Sequence, residues 1–186
     1  IFNNPRIYFF CFYNLEFKFN VPTVLCLDDR CLCFCNNLLF AGKKIGLMNK
    51  FDFNNRTAVI TGGAQGFGLD IAKRFLESGA KVFIWDIDEK LLKSAVNEIK
   101  NPNLSYNVID ISNYQQVEKI VSKITLNNNI DILINNAGIT GPTAPLWEYD
   151  VEMWNKIVQI NLMGTFNCCR AIVPNMIKNN YGRIVN

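Results

Sequence analysis

Histidine is absent from the chain, which removes Ser-His and Cys-His nucleophilic pairs, histidine general bases and histidine-ligated metal sites together. Charge of one sign is scarce too. Nineteen Lys and Arg against sixteen Asp and Glu leave a formal net charge of +3 with no basic block, too weak a bias for a nucleic-acid or membrane-surface protein. No apolar run approaches the roughly 18 residues of a membrane span. The apolar patches at 7–13, 24–27 and 38–41 are interrupted by Glu16, Lys18, Asp28, Asp29 and Arg30, and the segment lacks the basic start and cleavage site of a secretory signal. A cytoplasmic location is expected. The only cysteine cluster, Cys31-Leu32-Cys33-Phe34-Cys35, alternates rather than forming C-x2-C pairs, and Cys168 and Cys169 are adjacent, so neither a metal site nor a disulfide is expected.

The 186 residues suffice for one ordinary core but hardly two. They are not uniform. Residues 1–47 hold eight of the fourteen Phe and five of the seven Cys, yet show no sustained helical or two-residue apolar period. This stretch is expected to be a non-domain segment, either upstream sequence translated in frame or disordered chain. The domain is expected over 48–186.

From Met48 onward, short β-rich runs alternate with helical periods. Thr57-Ala58-Val59-Ile60 reads as a strand ending in Thr61-Gly62-Gly63, and Phe67, Ile71, Ala72, Phe75 and Leu76 share one face of the next helix. Residues 81–85 give a second strand, and Leu91, Leu92, Ala95, Val96 and Ile99 mark a second helix. Asn107-Val108-Ile109 reads as a third strand; Ser112 can cap a helix striped by Val117, Ile120, Val121 and Ile124; residues 130–134 form a fourth strand. A long helical stretch from about 150 to 178 leads to Arg183-Ile184-Val185, where a fifth strand begins. The fold class is α/β, a doubly wound parallel sheet of the Rossmann kind, expected to be incomplete because the sequence stops inside an element.

The loop Thr61-Gly62-Gly63-Ala64-Gln65-Gly66-Phe67-Gly68 follows a strand and opens a helix. Glycines there let backbone N–H groups and the positive helix terminus approach a pyrophosphate. Asp86 ends the next strand, eighteen positions after Gly68, which suits a ribose contact, although a helix cap shared with Asp88 accounts for it as well. Asp110, at another strand end, fits ligand binding and helix capping equally. Asn136-Ala137-Gly138 combines small residues for close cofactor approach with amides for cross-strand bonds. Asn161 shares a helical face with Trp154, Ile157, Val158 and Leu162, where a polar amide must find partners, as a satisfied core group or as a functional one. Trp147 and Trp154 read as packing residues.

Over residues 52–186 the sequence resembles the short-chain dehydrogenase/reductase family. The loop Thr61-Gly62-Gly63-Ala64-Gln65-Gly66-Phe67-Gly68 is similar to the family's T-G-x-x-x-G-x-G, Asp110-Ile111 to its adenine-contacting pair, and Asn135-Asn136-Ala137-Gly138 to its N-N-A-G. Asn161 matches the asparagine of the catalytic tetrad, and Gly182-Arg183-Ile184-Val185-Asn186 the approach to the strand that precedes the catalytic serine. The resemblance implies cofactor contacts from Thr61, Gly62, Gln65, Gly66, Phe67, Gly68, Asp86, Asp110, Ile111, Asn136, Ala137 and Gly138. For Asn161 it implies a catalytic role, kinking its helix and holding a water that relays protons from the active-site lysine.

In the family a serine orients the substrate oxygen and a tyrosine, its pKa lowered by a lysine, acts as acid and base. Those three are expected beyond Asn186, since Tyr181 has Val185 rather than lysine four positions on. The implied activity is hydride transfer between NAD(H) and a secondary alcohol or ketone, with sugar-acid, polyol and 3-oxoacyl compounds as substrate classes. A non-catalytic dinucleotide-binding module or inactive gene fragment is the alternative. Asp86 repels a 2′-phosphate and neither Gln65 nor Ile87 supplies a cation for one, so NAD is expected in preference to NADP. A homodimer or homotetramer is the assembly the resemblance implies.

Overall fold

The computed structural model describes residues 51–186 throughout and, before them, only the backbone of four short strands. Residues 24–43 contribute an antiparallel sheet considered by itself: β2 (Val24–Leu27), β3 (Arg30–Cys35) and β4 (Leu38–Lys43), with Val24 opposite Cys33 and Cys35 opposite Leu38. The sequence shows no apolar period there. Asp28-Asp29 and Asn36-Asn37, residue types favoured in two-residue hairpin links, separate the three strands. The cysteine run 31–35 lies on β3, with its side chains outside the described residues. The expected domain boundary at residue 48 also lies outside the described residues.

The second unit is an α/β sheet with all neighbours parallel, in the order β1-β9-β8-β5-β6-β7. Its strands are β1 (Tyr8–Phe10), β5 (Thr57–Thr61), β6 (Lys81–Asp86), β7 (Leu104–Val108), β8 (Ile132–Ile134) and β9 (Arg183–Val185). Between them run α1 (Gly66–Glu77), α2 (Glu89–Ile99), α3 (Tyr114–Thr125), and the long stretch made of α4 (Val151–Val158), a π-helical segment (Gln159–Gly164) and α5 (Thr165–Lys178). The doubly wound architecture is as read from the sequence.

Strand alternation explains why both faces are covered. On β5, Ala58 and Ile60 point with Val82 and Ile84 into a core shared with Ala72, Leu76, Leu92 and Ala95 of α1 and α2. Val59 points the other way, with Phe83, Trp85, Leu133 and Ile184, against Val117, Val121, Cys168, Ile172 and Met176 of α3 and α5. Each fully buried Ile or Val contributes about 1.5–3 kcal/mol through burial. The central strands are therefore continuous apolar runs, not alternating ones.

Some local expectations are corrected. The third strand is Leu104–Val108, so Ile109 lies just past its end, its amide donating to the Asp86 carbonyl at 2.8 Å. The cap of α3 is Asn113, whose side chain accepts from the Gln116 amide at 3.2 Å, while Ser112 is engaged by Asp110. Phe67 is 84% exposed and does not belong to the buried face of α1, which consists of Gly68, Ala72 and Leu76. Trp147 is 85% exposed, its indole N–H donating to Glu148, and Trp154 meets Tyr149 edge-on while half exposed. Among the described residues no helix is long and apolar enough to cross a membrane, and no group of three or more acidic or cysteine side chains could hold a metal.

Candidate functional site

The winding starts at β5, runs outward to β6 and β7, and returns to the other side of β5 with β8. Where the winding reverses, the connections after β5 and β8 leave in opposite directions, and a crevice opens at the carboxyl ends of the strands. A cleft of about 570 Å3 occupies that place, lined by Gly62, Gln65, Asp86, Asp110, Ile111 and residues 136–139. Four separate connections converge on it.

The floor is a strap between the first and fourth connections. The Asn136 amide nitrogen donates to the carbonyls of Thr61 and Gly62 at 3.0 and 3.1 Å. The Thr61 hydroxyl accepts from the backbone N–H groups of Asn136 and Ala137, both at 3.0 Å, and donates to the Ile134 carbonyl. Thr61 is thus a buried joint and not part of the lining. Asn136 combines lining with structure, its amide committed to the strap, which leaves the small Ala137 and Gly138 open toward the cleft.

The glycines divide the labour. Gly62 and Gly66 have φ of 63° and 54°, left-handed values that favour glycine. A Cβ on Gly66 would stand in open space, so the backbone there is bare to a ligand. Gly68 is the reverse: a Cβ there would strike the Gly62 carbonyl and come within 2.6 Å of the Asn136 amide. That glycine lets α1 press against the strap, and Gln65, the residue before α1, gives the helix no side-chain cap. Its first N–H groups are therefore not taken by a side-chain cap, as anion binding requires. Phe67 offers only its backbone in this loop, its ring standing in solvent.

Asp86 is oriented from two sides. One carboxylate oxygen accepts from the Ala64 amide at 3.3 Å and the other from the Asp88 amide at 3.2 Å. Asp88, not Asp86, caps α2, accepting from Lys90 and Leu91. Asp110 lines the cleft and does not cap α3, whose cap is Asn113; one of its oxygens accepts from the Ser112 amide and hydroxyl at 2.9 and 2.7 Å.

Asn161 lies in the π-helical segment, one residue past the cleft-lining Ile160. Its side chain is neither buried nor free: it accepts from the Ile139 amide at 2.9 Å and donates to the Ile139 carbonyl at 3.0 Å. This double bond pattern ties the loop after β8 to the long helix. Farther down that helix Cys168 is buried, which pushes its thiol from 9.0 up to about 12. Burial raises the Cys169 thiol also, partly offset by the Asn135 amide beside it. Sequence reasoning missed Lys156 and Ile160, which line the cleft from the helix side. Their four-residue spacing on one helical face was the available signal.

The residues fit a dinucleotide: bare glycine backbone at an uncapped helix start, a carboxylate at the neighbouring strand end, and small residues opposite. The short chain dehydrogenase family profile matches residues 56–186. The chain is 37% identical over 149 residues to a 2-dehydro-3-deoxy-L-rhamnonate dehydrogenase (NAD(+)) of Sphingomonas sp., covering 80% of this chain and 55% of that protein. It is 38% identical over 136 residues to the 3-oxoacyl-acyl-carrier-protein reductase FabG of Chlamydia muridarum, covering 71% and 54%. Among solved structures it resembles a gluconate 5-dehydrogenase from Burkholderia cenocepacia in complex with NADP and tartrate, with a TM-score of 0.68, 31% identity, and coverage of 74% and 55%. The chain spans about half the length of the curated relatives it matches. Profile, relatives and the geometry of the glycine loop agree, and the chain belongs to the short-chain dehydrogenase family.

Proposed function

We propose that the protein is an oxidoreductase that moves a hydride between NAD(H) and a secondary alcohol or ketone. The observation that carries this reading is the convergence of the bare glycine loop, Asp86 and residues 136–138 on one cleft at the reversal of the winding. Gly62, Gln65, Gly66 and the backbone N–H groups of 67 and 68 would hold the pyrophosphate, Asp86 the adenosine ribose, Asp110 and Ile111 the adenine, and Ala137 and Gly138 the nicotinamide half. Bound there, the nicotinamide supplies the hydride donor or acceptor. Asn161 fixes the backbone of Ile139 at the edge of the cleft and so positions the loop on which a substrate would rest. The serine, tyrosine and lysine of the reaction are proposed to follow Asn186.

NAD is preferred to NADP in this reading because Asp86 presents a carboxylate where a 2′-phosphate would stand. The loop 139–146 holds small apolar and hydroxyl side chains and no Arg or Lys to clamp a carboxylate or phosphate, and with NAD as cofactor we favour a sugar-acid or polyol substrate over a 3-oxoacyl thioester. A cytoplasmic dimer or tetramer completes the proposal. Titration of the full-length protein with NAD and NADP, then a substrate panel, tests it: tighter NAD binding with polyol or sugar-acid turnover is expected. Dominant NADPH-dependent 3-oxoacyl reduction would overturn it.

A further inference from the structure

The cleft is unevenly charged. Asp86, Asp88 and Asp110 all line it, and their carboxylates are held by nearby backbone N–H groups and the Ser112 hydroxyl, not by a cation. Lys156 of α4 is the one cationic side chain in the lining. It belongs to none of the ion pairs among the described residues. Ile160, four residues on, lines the same wall, so the helical repeat turns both side chains to the cleft. A dinucleotide brings two phosphate charges into a space that already holds three carboxylates. The start of α1 offers about half a positive charge against them. The one full positive charge in the lining is the Lys156 ammonium on α4.

We infer that Lys156 is a phosphate-pairing residue of this cleft, its ammonium reaching from α4 to offset the phosphates of the bound nucleotide. The inference rests on the dinucleotide reading and adds a residue from outside the glycine loop. A lysine suits the task as a compact charge on a flexible stem, able to meet the ligand after entry without a fixed bidentate geometry.

The test is calorimetric titration of the full-length protein with NAD, NADP, ADP and adenosine, comparing the unmodified protein with Lys156→Met and Lys156→Arg. Lys156→Met should weaken NAD and ADP about tenfold, the effect of losing one charge-assisted contact, while leaving adenosine unchanged. It should also flatten the salt dependence of ADP binding, and Lys156→Arg should restore both. An equal loss for ADP and adenosine would mean packing and would overturn the assignment, as would unchanged ADP binding or a loss confined to NADP. Unmodified protein that binds ADP through Lys156 but neither dinucleotide would sink the cofactor reading and leave the lysine assignment standing. Failure to bind any of the four would end both.

Discussion

In the proposed reading Asp86 has two tasks. Each oxygen accepts one backbone N–H, from Ala64 or Asp88, and each retains acceptor capacity for a ribose hydroxyl. Asp86→Ala is therefore expected to weaken NAD about tenfold to a hundredfold, read by titration, with NADP binding unchanged or improved. Cys168 sets a pH dependence instead. Its thiol keeps its proton up to about 12 in the folded chain against 9.0 ordinarily. In that window the unfolded chain binds fewer protons than the folded one, so stability is full below 9.0 and declines as pH rises toward about 12. Urea melts across the alkaline range should show this slope, and Cys168→Ala should reduce it, the raised Cys169 thiol leaving a remainder; an unchanged slope would place its origin elsewhere. What the sequence could not disclose at this scale were partners far along the chain. Asn161 meets Ile139, 22 positions away, and the Asn136 side chain closes on Thr61, 75 away. No spacing rule links such pairs, although the residue types had announced that bonds were needed.

Elements were more legible than residues, because periods repeat and errors average. The alternation of apolar strands and amphipathic helices was plain in the sequence, and the last strand starts at Arg183 as read. Boundaries slipped where polar residues compete to cap, as at Ser112 and Asn113. The π-helical segment left no trace in the apolar pattern, since one widened turn shifts the stripe by less than its own width. The packing of α1 yields a paired prediction. Gly68→Ala should cost about 3 kcal/mol in a urea melt, because the added methyl meets backbone and not a movable side chain. Gly66→Ala should cost about 1–2 kcal/mol through its left-handed φ alone, yet abolish NAD binding by filling the bare loop. If the two variants lose stability equally, the division between packing glycine and ligand glycine is wrong.

For the molecule as a whole, one flank stands out: Val151, Trp154, Leu162 and Phe166 are 69, 51, 64 and 50% exposed along α4, the π-helical segment and α5. A run of exposed apolar side chains on one flank makes a surface prone to association. These 186 residues expressed alone are expected to self-associate and bind a hydrophobic dye, and Trp154→Glu with Phe166→Glu should reduce both in sedimentation and fluorescence assays. A monodisperse, dye-negative chain would count against it. The sheet order has another implication, for birth and not for equilibrium. β5 is made early but lies between β6 and β8, and Thr57 bonds to Asp131 across 74 positions of chain. At about 5–20 residues per second of synthesis, roughly 4–15 s pass between the two. Throughout that interval this fully buried strand leaves the ribosome with one hydrogen-bonding edge bare. The nascent chain, with that edge bare, is the form expected to gain from a chaperone.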